Sequence, residues 1–253
     1  MDKKFNENQL EGRNAVLEVL KSGRDIEKII VQKGNVEGTI RRIVGIAKEK
    51  GVVVQEVVKQ KLDEMSQTKN HQGVIAIVSE HEYADVEDII NSAESKGEKP
   101  FIIILDNITD PHNLGAIIRT AECAGAHGVI IPKRRSVGLT AVVGKTSAGA
   151  IEYMPVARVT NIARTIDDLK SRGIWVACAD MGGDDYFDTS LDGALALVIG
   201  SEGEGVSRLV KEKCDFTVSI PMYGKISSLN ASVAAATVKI LAGDPGSKLS
   251  LMQ

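Results

Sequence analysis

The 253-residue chain lacks the features that mark several large classes of protein. Its three cysteines, Cys123, Cys178 and Cys214, are odd in number and widely spaced, which argues against a disulfide framework and against a zinc site. No apolar run reaches the roughly 18 residues that a membrane-spanning helix needs, and the first residues lack the apolar core of a signal peptide. The four histidines show no metal-ligand spacing. These absences predict a soluble, cytoplasmic protein without a bound metal.

A surplus of positive charge is also missing. The formal net charge is −3, whereas proteins that bind phosphate backbones usually carry a basic surplus, at least locally. Local basic clusters are present at Arg41 and Arg42, and at 133–135 followed by Lys145. For any single cluster, an ordinary solvated surface is the favoured interpretation. Charge alone therefore leaves the partner open.

Apolar residues make up 43% of the chain, which is enough to form an ordinary core. The first 80 residues alternate between two periodicities, with helices predicted over 10–20 and 36–50 and strands over 28–31, 52–58 and 73–78. This alternation predicts a small α/β domain over residues 1–80. Residues 81–99 are polar, acidic and then rich in glycine and lysine, which predicts a linker.

Residues 100–253 show a stronger rhythm of apolar runs and helical stretches. Strands are predicted over 101–105, 128–131, 174–179, 194–199 and 216–220, and helices over 113–125, 160–172 and 229–242. Nearly continuous apolar strands that alternate with helices are typical of a parallel sheet covered on both faces. Ligands on such sheets bind beyond the carboxyl ends of the strands, so we expect the functional site there.

Three of these strand ends carry unusual polar and glycine-rich segments, at 106–119, 200–205 and 220–230. Each segment also has an ordinary structural interpretation. Asn113 is a possible helix cap, Arg119 a possible partner of Glu122, and Ser228 or Asn230 a possible cap of the last helix. The glycines are possible turn residues.

Two familiar nucleotide-binding motifs are disfavoured by spacing. The segment Gly144-Lys145-Thr146 lacks the earlier glycine of a P-loop, because Leu139 stands in its place. The glycines of 200–205 follow the order G-x-x-G-x-G and come late in the domain, which makes a Rossmann dinucleotide site improbable.

Taken together, the three segments resemble motifs one, two and three of the SpoU family of RNA 2′-O-methyltransferases, in the SPOUT class, in both order and spacing. Residues 11–16 and 70–74 are similar to the substrate-binding module that precedes the catalytic domain in bacterial 23S rRNA guanosine 2′-O-methyltransferases. The resemblance covers nearly the whole chain. It implies an α/β fold with a SPOUT-type parallel sheet and a C-terminal trefoil knot over 100–253, preceded by a small α/β RNA-binding domain.

The resemblance also implies a set of site residues. Residues implied to bind S-adenosylmethionine are Gly200, Ser201, Gly205, Ile220 and Leu229. Residues implied to be catalytic are Arg119, Asn113, Glu202, Ser228 and Asn230. Arg119 would hold a phosphate and stabilise negative charge on the 2′-oxygen, with Glu202 orienting it. Residues implied to bind RNA are Arg13, Asn14, His71 and Gln72.

The function implied is methyl transfer from S-adenosylmethionine to a ribose 2′-hydroxyl of structured RNA, in a homodimer. The N-terminal module favours a guanosine of 23S rRNA. A tRNA ribose 2′-O-methyltransferase would carry the same three segments, whereas a catalytically inactive RNA-binding relative would show eroded motifs. A nicotinamide-dependent oxidoreductase is disfavoured by the missing fingerprint. We expect the three strand exits to converge on one pocket beside Arg119.

Overall fold

A computed structural model describes residues 8–34, 38–186, 188, 189, 191–222 and 229–242 of the chain. The chain divides into two compact units. The first comprises residues up to 82 together with 138–140, and the second comprises 83–137 and the residues from 141 onward. Within the described ranges, no helix combines the length and the apolar character needed to cross a membrane.

The first unit is built on a mixed four-stranded sheet. Its elements are β1 (Gln9–Glu11), α1 (Arg13–Ser22), β2 (Ile26–Gln32), α2 (Gly38–Glu49), β3 (Val54–Val57), α3 (Lys59–Met65) and β4 (Val74–Val78). The strand order is β1-β4-β2-β3, in which β2 and β3 are parallel and both pairings of β4 are antiparallel. The spacing of the apolar residues gives each helix one buried face, with Val16 and Leu20 on α1 and Ile40 and Ile43 on α2. Both faces pack with Ile29 in one core.

The second unit is a six-stranded parallel sheet with helices. Its strands are β5 (Phe101–Leu105), β6 (Gly128–Pro132), β7 (Val156–Val159), β8 (Trp175–Asp185), β9 (Leu195–Ile199) and β10 (Phe216–Ser219). Its helices are α4 (Val86–Ser95), α5 (Pro111–Cys123), α6 (Ala141–Thr146), α7 (Ile162–Ser171), α8 (Arg208–Lys213) and α9 (Ala231–Ala242), with a 3-10 turn at Ala150–Glu152. All neighbouring strands are parallel, in the order β10-β8-β9-β5-β6-β7. The predicted α/β fold with a parallel sheet is confirmed.

Burial explains why the central strands could be predicted. Every residue of β5 and β9 is buried, as expected for strands that are covered on both faces. Because β8, β9, β5 and β10 lie side by side in parallel, their carboxyl ends meet at one edge of the sheet. The three motif segments leave from that edge. The trefoil knot stays a prediction, since its chain path includes residues 223–228, which are outside the described residues.

Residues 81–99 differ from the linker that was expected. They contain α4, whose Ile89 and Ile90 are buried in the core of the second unit. The start of this helix is fixed by Asp88, whose carboxylate accepts the N–H of Asp85 at 2.9 Å. The acidic residues lie on the exposed side of the helix, so the composition of the segment concealed its apolar face.

Candidate active site

The first motif segment leads from β5 into α5. The side chain of Asp110 accepts the N–H of His112 at 3.0 Å, and Pro111 occupies the first helical position. Asp110 is therefore the helix cap, and Asn113 lies inside the first turn. The side chain of Asn113 is not needed as a cap, and its Nδ2 donates to Glu202 Oε1 at 3.0 Å.

Asn113, Glu202 and Asn230 form a hydrogen-bonded group that we call the polar triad. Asn230 Nδ2 donates to Asn113 Oδ1 at 3.0 Å and also to Glu202 Oε1. Asn230 Oδ1 accepts the N–H of Ser232 at 2.9 Å, which caps α9. The triad takes one side chain from each of the three motifs and joins segments that are far apart in the chain. Ser228, the other residue implied to be catalytic in the third motif, lies outside the described residues.

The glycine loop, residues 200–206, follows β9. Ser201 N–H donates to Gly205 O at 3.2 Å, and Gly205 N–H donates to Ser201 O at 2.9 Å, which closes the loop on itself. A Cβ atom on Gly200 would lie 2.0 Å from the carbonyl carbon of Gly205, so only glycine allows this approach. Gly205 itself has φ of 66°, in the left-handed region that favours glycine.

Asp106 fixes the far end of the glycine loop, and sequence reasoning missed it. Its buried carboxylate accepts the N–H of Ser207 at 2.7 Å, while its own N–H donates to Ile199 O at 2.9 Å. A buried carboxylate is costly unless it is hydrogen-bonded, so this contact gives Asp106 a defined position. The available signal was an acidic residue directly after a strand that is apolar throughout.

A pocket of about 210 Å³, the glycine-loop pocket, lies beside this loop. It contains all five residues that were implied to bind the cofactor, namely Gly200, Ser201, Gly205, Ile220 and Leu229. Apolar side chains such as Ile199 and Val218 also line it, together with three carboxylates, those of Asp180, Glu202 and Glu204. None of the described residues in the lining carries a positive charge. The second and third strand exits therefore converge on one pocket, and the first joins it through Asn113.

Arg119 lies on the exposed side of α5, after Asn113. It is absent from the described lining of the glycine-loop pocket. Within the described parts of the chain, Arg119 forms neither the ion pair with Glu122 nor the bond with Glu202 that the sequence suggested. Glu202 is instead bonded to two amides of the polar triad. The structure thus brings together every described motif residue that was implied to be catalytic except Arg119.

The residues implied to bind RNA lie in the first unit, at the start of α1 and in the turn before β4. Arg13 N–H donates to Gln72 Oε1 at 3.1 Å, and Arg13 Nε donates to Gln72 O at 3.1 Å. Asn14 is exposed. Asn14 and Gln72 line a shallow pocket of about 280 Å³, together with Glu11, Gly12, Ala15, Thr68 and Asn70.

His71 has a different environment from its neighbours. Its ring is buried, Nδ1 accepts the N–H of Gly73 at 2.9 Å, and Nε2 lies 2.8 Å from Asp63 Oδ1. An Nδ1 that accepts leaves Nε2 to donate to the carboxylate. His71 therefore holds the turn with its ring buried, and its implied part in RNA binding stays a prediction.

Glu11 organises the same turn. Burial alone would raise the pKa of its carboxyl, but donors from Thr68, Gln67, Ser66 and Gln9 outweigh burial and lower the pKa to about 2. The Gln67 N–H donates at 2.6 Å and the Ser66 hydroxyl at 2.7 Å. The carboxylate is thus committed to binding the turn at 66–68.

No group of three or more histidine, cysteine or acidic side chains is arranged to hold a metal ion among the described residues.

The chain is similar to known proteins over both of its units. The model of the SpoU rRNA methylase family matches residues 100–239, and that of the RNA 2′-O ribose methyltransferase substrate-binding domain matches residues 9–84. YacO of Bacillus subtilis (strain 168), named for the TrmH family of tRNA/rRNA methyltransferases, is 54% identical over 226 residues, which are 88% of this chain and 90% of YacO. A TrmH-family protein of Staphylococcus haemolyticus is 53% identical and covers 89% of this chain and 90% of its own length.

Solved structures give the same result for the fold. The SpoU methyltransferase AviRb of Streptomyces viridochromogenes superposes with a TM-score of 0.58 at 26% identity, over 92% of this chain and 87% of AviRb. A second AviRb structure, in complex with the cofactor AdoMet, has a TM-score of 0.57 at 24% identity, over 92% of this chain and 88% of AviRb.

Proposed function

The chain belongs to the SpoU family of RNA methyltransferases, and from that premise we propose that it transfers a methyl group from S-adenosylmethionine to a ribose 2′-hydroxyl of structured RNA. The observation that carries the proposal is the polar triad beside the glycine-loop pocket. Asn113, Glu202 and Asn230 come from three distant segments, and their contacts close one site. The match of residues 9–84 to a ribose methyltransferase substrate-binding domain supports the ribose hydroxyl as the acceptor.

The chemistry of the pocket fits S-adenosylmethionine. Three carboxylates and no described cation in the lining would repel the phosphates of a nucleotide, whereas they attract a ligand with a positive sulfonium and a positive ammonium. The backbone of Gly200 and the aliphatic side chains of Ile220 and Leu229 suit the flat face and edge of an adenine. When bound, this cofactor supplies an activated methyl group whose leaving group becomes neutral.

We assign the polar triad a positioning role. Glu202 is fixed by two amide donors, and Asn230 is fixed from its other side by capping α9. This arrangement holds the second and third motifs in register across the pocket. Alignment of donor and acceptor can lower a barrier by up to about 7–11 kcal/mol in favourable cases, so such positioning is chemically useful.

We assign Arg119 to the RNA side of the reaction. Its guanidinium stays protonated in proteins and cannot act as a base, but it can bind a phosphate and stabilise negative charge that develops on the attacking oxygen. Its exposed position and lack of an ion pair within the described residues leave it available for this role.

A homodimer would complete the site. The elements that contact α5 expose apolar side chains, Val142 on α6, Tyr153 after the 3-10 turn and Val233 on α9, with exposed fractions of 40, 79 and 48%. Single exposed apolar residues are ordinary, but several around one helix mark a candidate interface. We propose that a second copy of the chain covers these three apolar side chains, which lie on the elements that contact α5, the helix of Arg119. Sedimentation that finds a fully active monomer would contradict this.

We propose ribosomal RNA as the substrate, with a guanosine of 23S rRNA as the target in the bacterial cytoplasm. The argument is the N-terminal module, since the names of the relatives span both tRNA and rRNA. The second unit adds a basic segment: Arg134 and Arg135 are exposed, and Ser136 and Val137 anchor their loop to Ile108 O at 3.1 and 3.0 Å. This loop therefore carries two exposed arginines and is bound to the first motif segment, so the arginines can bind RNA phosphates there.

The test is methyl transfer from labelled S-adenosylmethionine to 23S rRNA and tRNA transcripts, with mass mapping of the product. A ribose 2′-O-methyl group blocks alkaline cleavage at its own position and so identifies the acceptor. Arg119→Ala should abolish transfer while cofactor binding by calorimetry is kept, and Arg208→Ala, an exposed arginine on α8, is the control. Turnover by Arg119→Ala would remove this arginine from the mechanism. A wild-type chain that binds RNA but no cofactor would favour the inactive relative.

A further inference from the structure

Asp180 is an acidic residue of the glycine-loop pocket that the three motifs do not contain. It lies in β8 and lines the pocket. Its Oδ1 would be 3.4 Å from a Cβ atom on Gly205, so the carboxylate lies against the glycine loop. Its side chain keeps 22% of its surface exposed, which leaves lone pairs accessible to a ligand.

Lys211 holds this carboxylate in one orientation. Its Nζ lies 2.7 Å from Asp180 Oδ2, while the N–H of Met181 donates to Oδ1 at 2.7 Å. The hydrogen bond that Lys211 donates to the Asp180 carboxylate raises the pKa of Lys211, so the ammonium is charged at neutral pH. Lys211 is not among the described lining residues, so it balances the charge of Asp180 without occupying the pocket.

The other two carboxylates of the pocket are placed differently. Glu202 is bonded to both amides of the polar triad. Glu204 is exposed, and no described residue forms an ion pair with it. An unneutralised carboxylate attracts a cation, whereas a carboxylate paired with a lysine is better suited to neutral donors, because the lysine repels a second cation.

We propose that Asp180 accepts hydrogen bonds from the ribose hydroxyls of the bound methyl donor, an inference that rests on the proposed function. A carboxylate can accept from two neighbouring hydroxyls, and acidic residues recognise ribose in this way in dinucleotide-binding folds. Lys211 is a positioning residue that keeps Asp180 turned toward the adenosine. The ammonium of the methionine part lies elsewhere.

The test is calorimetric binding by the full chain, with no methyl transfer involved. The ligands are S-adenosylhomocysteine, its 2′-deoxy and 3′-deoxy forms, and 5′-methylthioadenosine, which lacks the amino-acid part. Asp180→Ala should weaken both S-adenosylhomocysteine and 5′-methylthioadenosine by about 10- to 100-fold, the range expected for hydrogen bonds to a charged acceptor. Asp167→Ala is the matched control, because Asp167 also pairs with a lysine, Lys213, at 2.8 Å.

The ligand series provides an independent comparison. Removal of the hydroxyls should weaken binding to the wild type and have little effect on Asp180→Ala, since the acceptor is already gone. Comparable losses in both proteins would overturn the inference. If Asp180→Ala does not fold, the deoxy ligands can still be compared on the wild type alone. Equal affinity of the wild type for the deoxy ligands and for S-adenosylhomocysteine would then overturn the inference.

Lys211→Met distinguishes hydroxyl from ammonium recognition. If Asp180 binds hydroxyls, loss of its positioning lysine should weaken both ligands by a similar factor of a few. Tighter binding of S-adenosylhomocysteine with no change for 5′-methylthioadenosine would mean that Asp180 binds the ammonium, and the inference would be wrong. No wild-type binding would overturn this inference and the proposed function together. Equal binding by wild type and Asp180→Ala would overturn this inference alone.

Discussion

The Glu11 carboxylate gives the most quantitative prediction. Its pKa falls from an ordinary value of 4.5 to about 2, because donors from the turn at 66–68 outweigh burial. At about 1.4 kcal/mol for each pKa unit, this corresponds to at most about 3.5 kcal/mol of stabilisation of the first unit at neutral pH, because solvent screens a carboxylate that is only partly buried. We expect Glu11→Gln to lose most of that amount at pH 7.

The pH dependence follows from the direction of the shift. A carboxyl whose pKa is lowered by folding stabilises the protein above its unfolded pKa and loses that contribution as the pH falls toward the folded pKa. For Glu11 the window runs from about pH 4.5 to about pH 2, with about 0.8 kcal/mol lost by pH 4 and about 2 kcal/mol lost by pH 3. The difference between wild type and Glu11→Gln should shrink over the same window.

Hydrogen exchange with mass spectrometry is the appropriate assay, because the single tryptophan, Trp175, lies in the second unit and does not report on the first. Peptides that cover 9–20 and 66–78 should lose protection in Glu11→Gln, whereas Glu64→Gln, at an exposed glutamate in a surface ion pair, is the control. RNA affinity should fall with the turn, and cofactor affinity should stay. Equal protection of both proteins at pH 7, or a difference at pH 3 that is as large as the difference at pH 7, would refute the reasoning.

Three further predictions concern the second unit. Gly200→Ala should weaken cofactor binding about 10- to 100-fold, because its Cβ would collide with the Gly205 backbone, at an expected cost of about 1–3 kcal/mol. Gly45→Ala, in α2 of the first unit, is the control, because a Cβ there meets nothing within 4 Å, and calorimetry should show normal binding. Replacing Arg134 and Arg135 together by Ala should reduce the salt slope of RNA binding by about two, one for each phosphate contact, and an unchanged slope in filter binding would contradict this. Asn230→Asp should keep the cap of α9 but place a second carboxylate beside Glu202. Methyl transfer should then fall at least about tenfold, while hydrogen exchange of α9 is unchanged. Loss of protection in the helix would mean that the effect is structural.

The elements that could be predicted are those whose burial is reflected in their composition. Strand β5 was predicted at its observed bounds, 101–105, because all five of its residues are apolar and buried. Strand β8 was predicted to end at 179, yet it continues to Asp185, since its polar second half pairs with β10 across an irregular register. Such pairing depends on a neighbouring strand more than 30 residues away along the chain, and local periodicity does not contain that information.

The same division applies to the site. A resemblance transfers residue identities, so the five residues implied to bind the cofactor could be expected to lie together, and all five line the glycine-loop pocket. It does not transfer hydrogen-bond partners. Glu202 was expected to orient Arg119, but it accepts hydrogen bonds from the amides of Asn113 and Asn230 instead. Asn113 is available for this contact because Asp110, and not Asn113, caps the helix. The order of the motifs in the chain does not indicate which side chain donates a hydrogen bond to which acceptor.

The hydrogen bonds within the polar triad also explain why Arg119 does not contact the triad of its own chain. An exposed arginine without an ion pair among the described residues contributes little to the stability of its own fold. The Glu202 carboxylate already accepts hydrogen bonds from two amides, and Arg119 forms no ion pair with a described residue. The division predicts separable defects: triad variants should impair cofactor binding and transfer together, whereas Arg119 variants should impair transfer alone. A triad variant with normal cofactor affinity and no transfer would show that the two groups act as one catalytic unit.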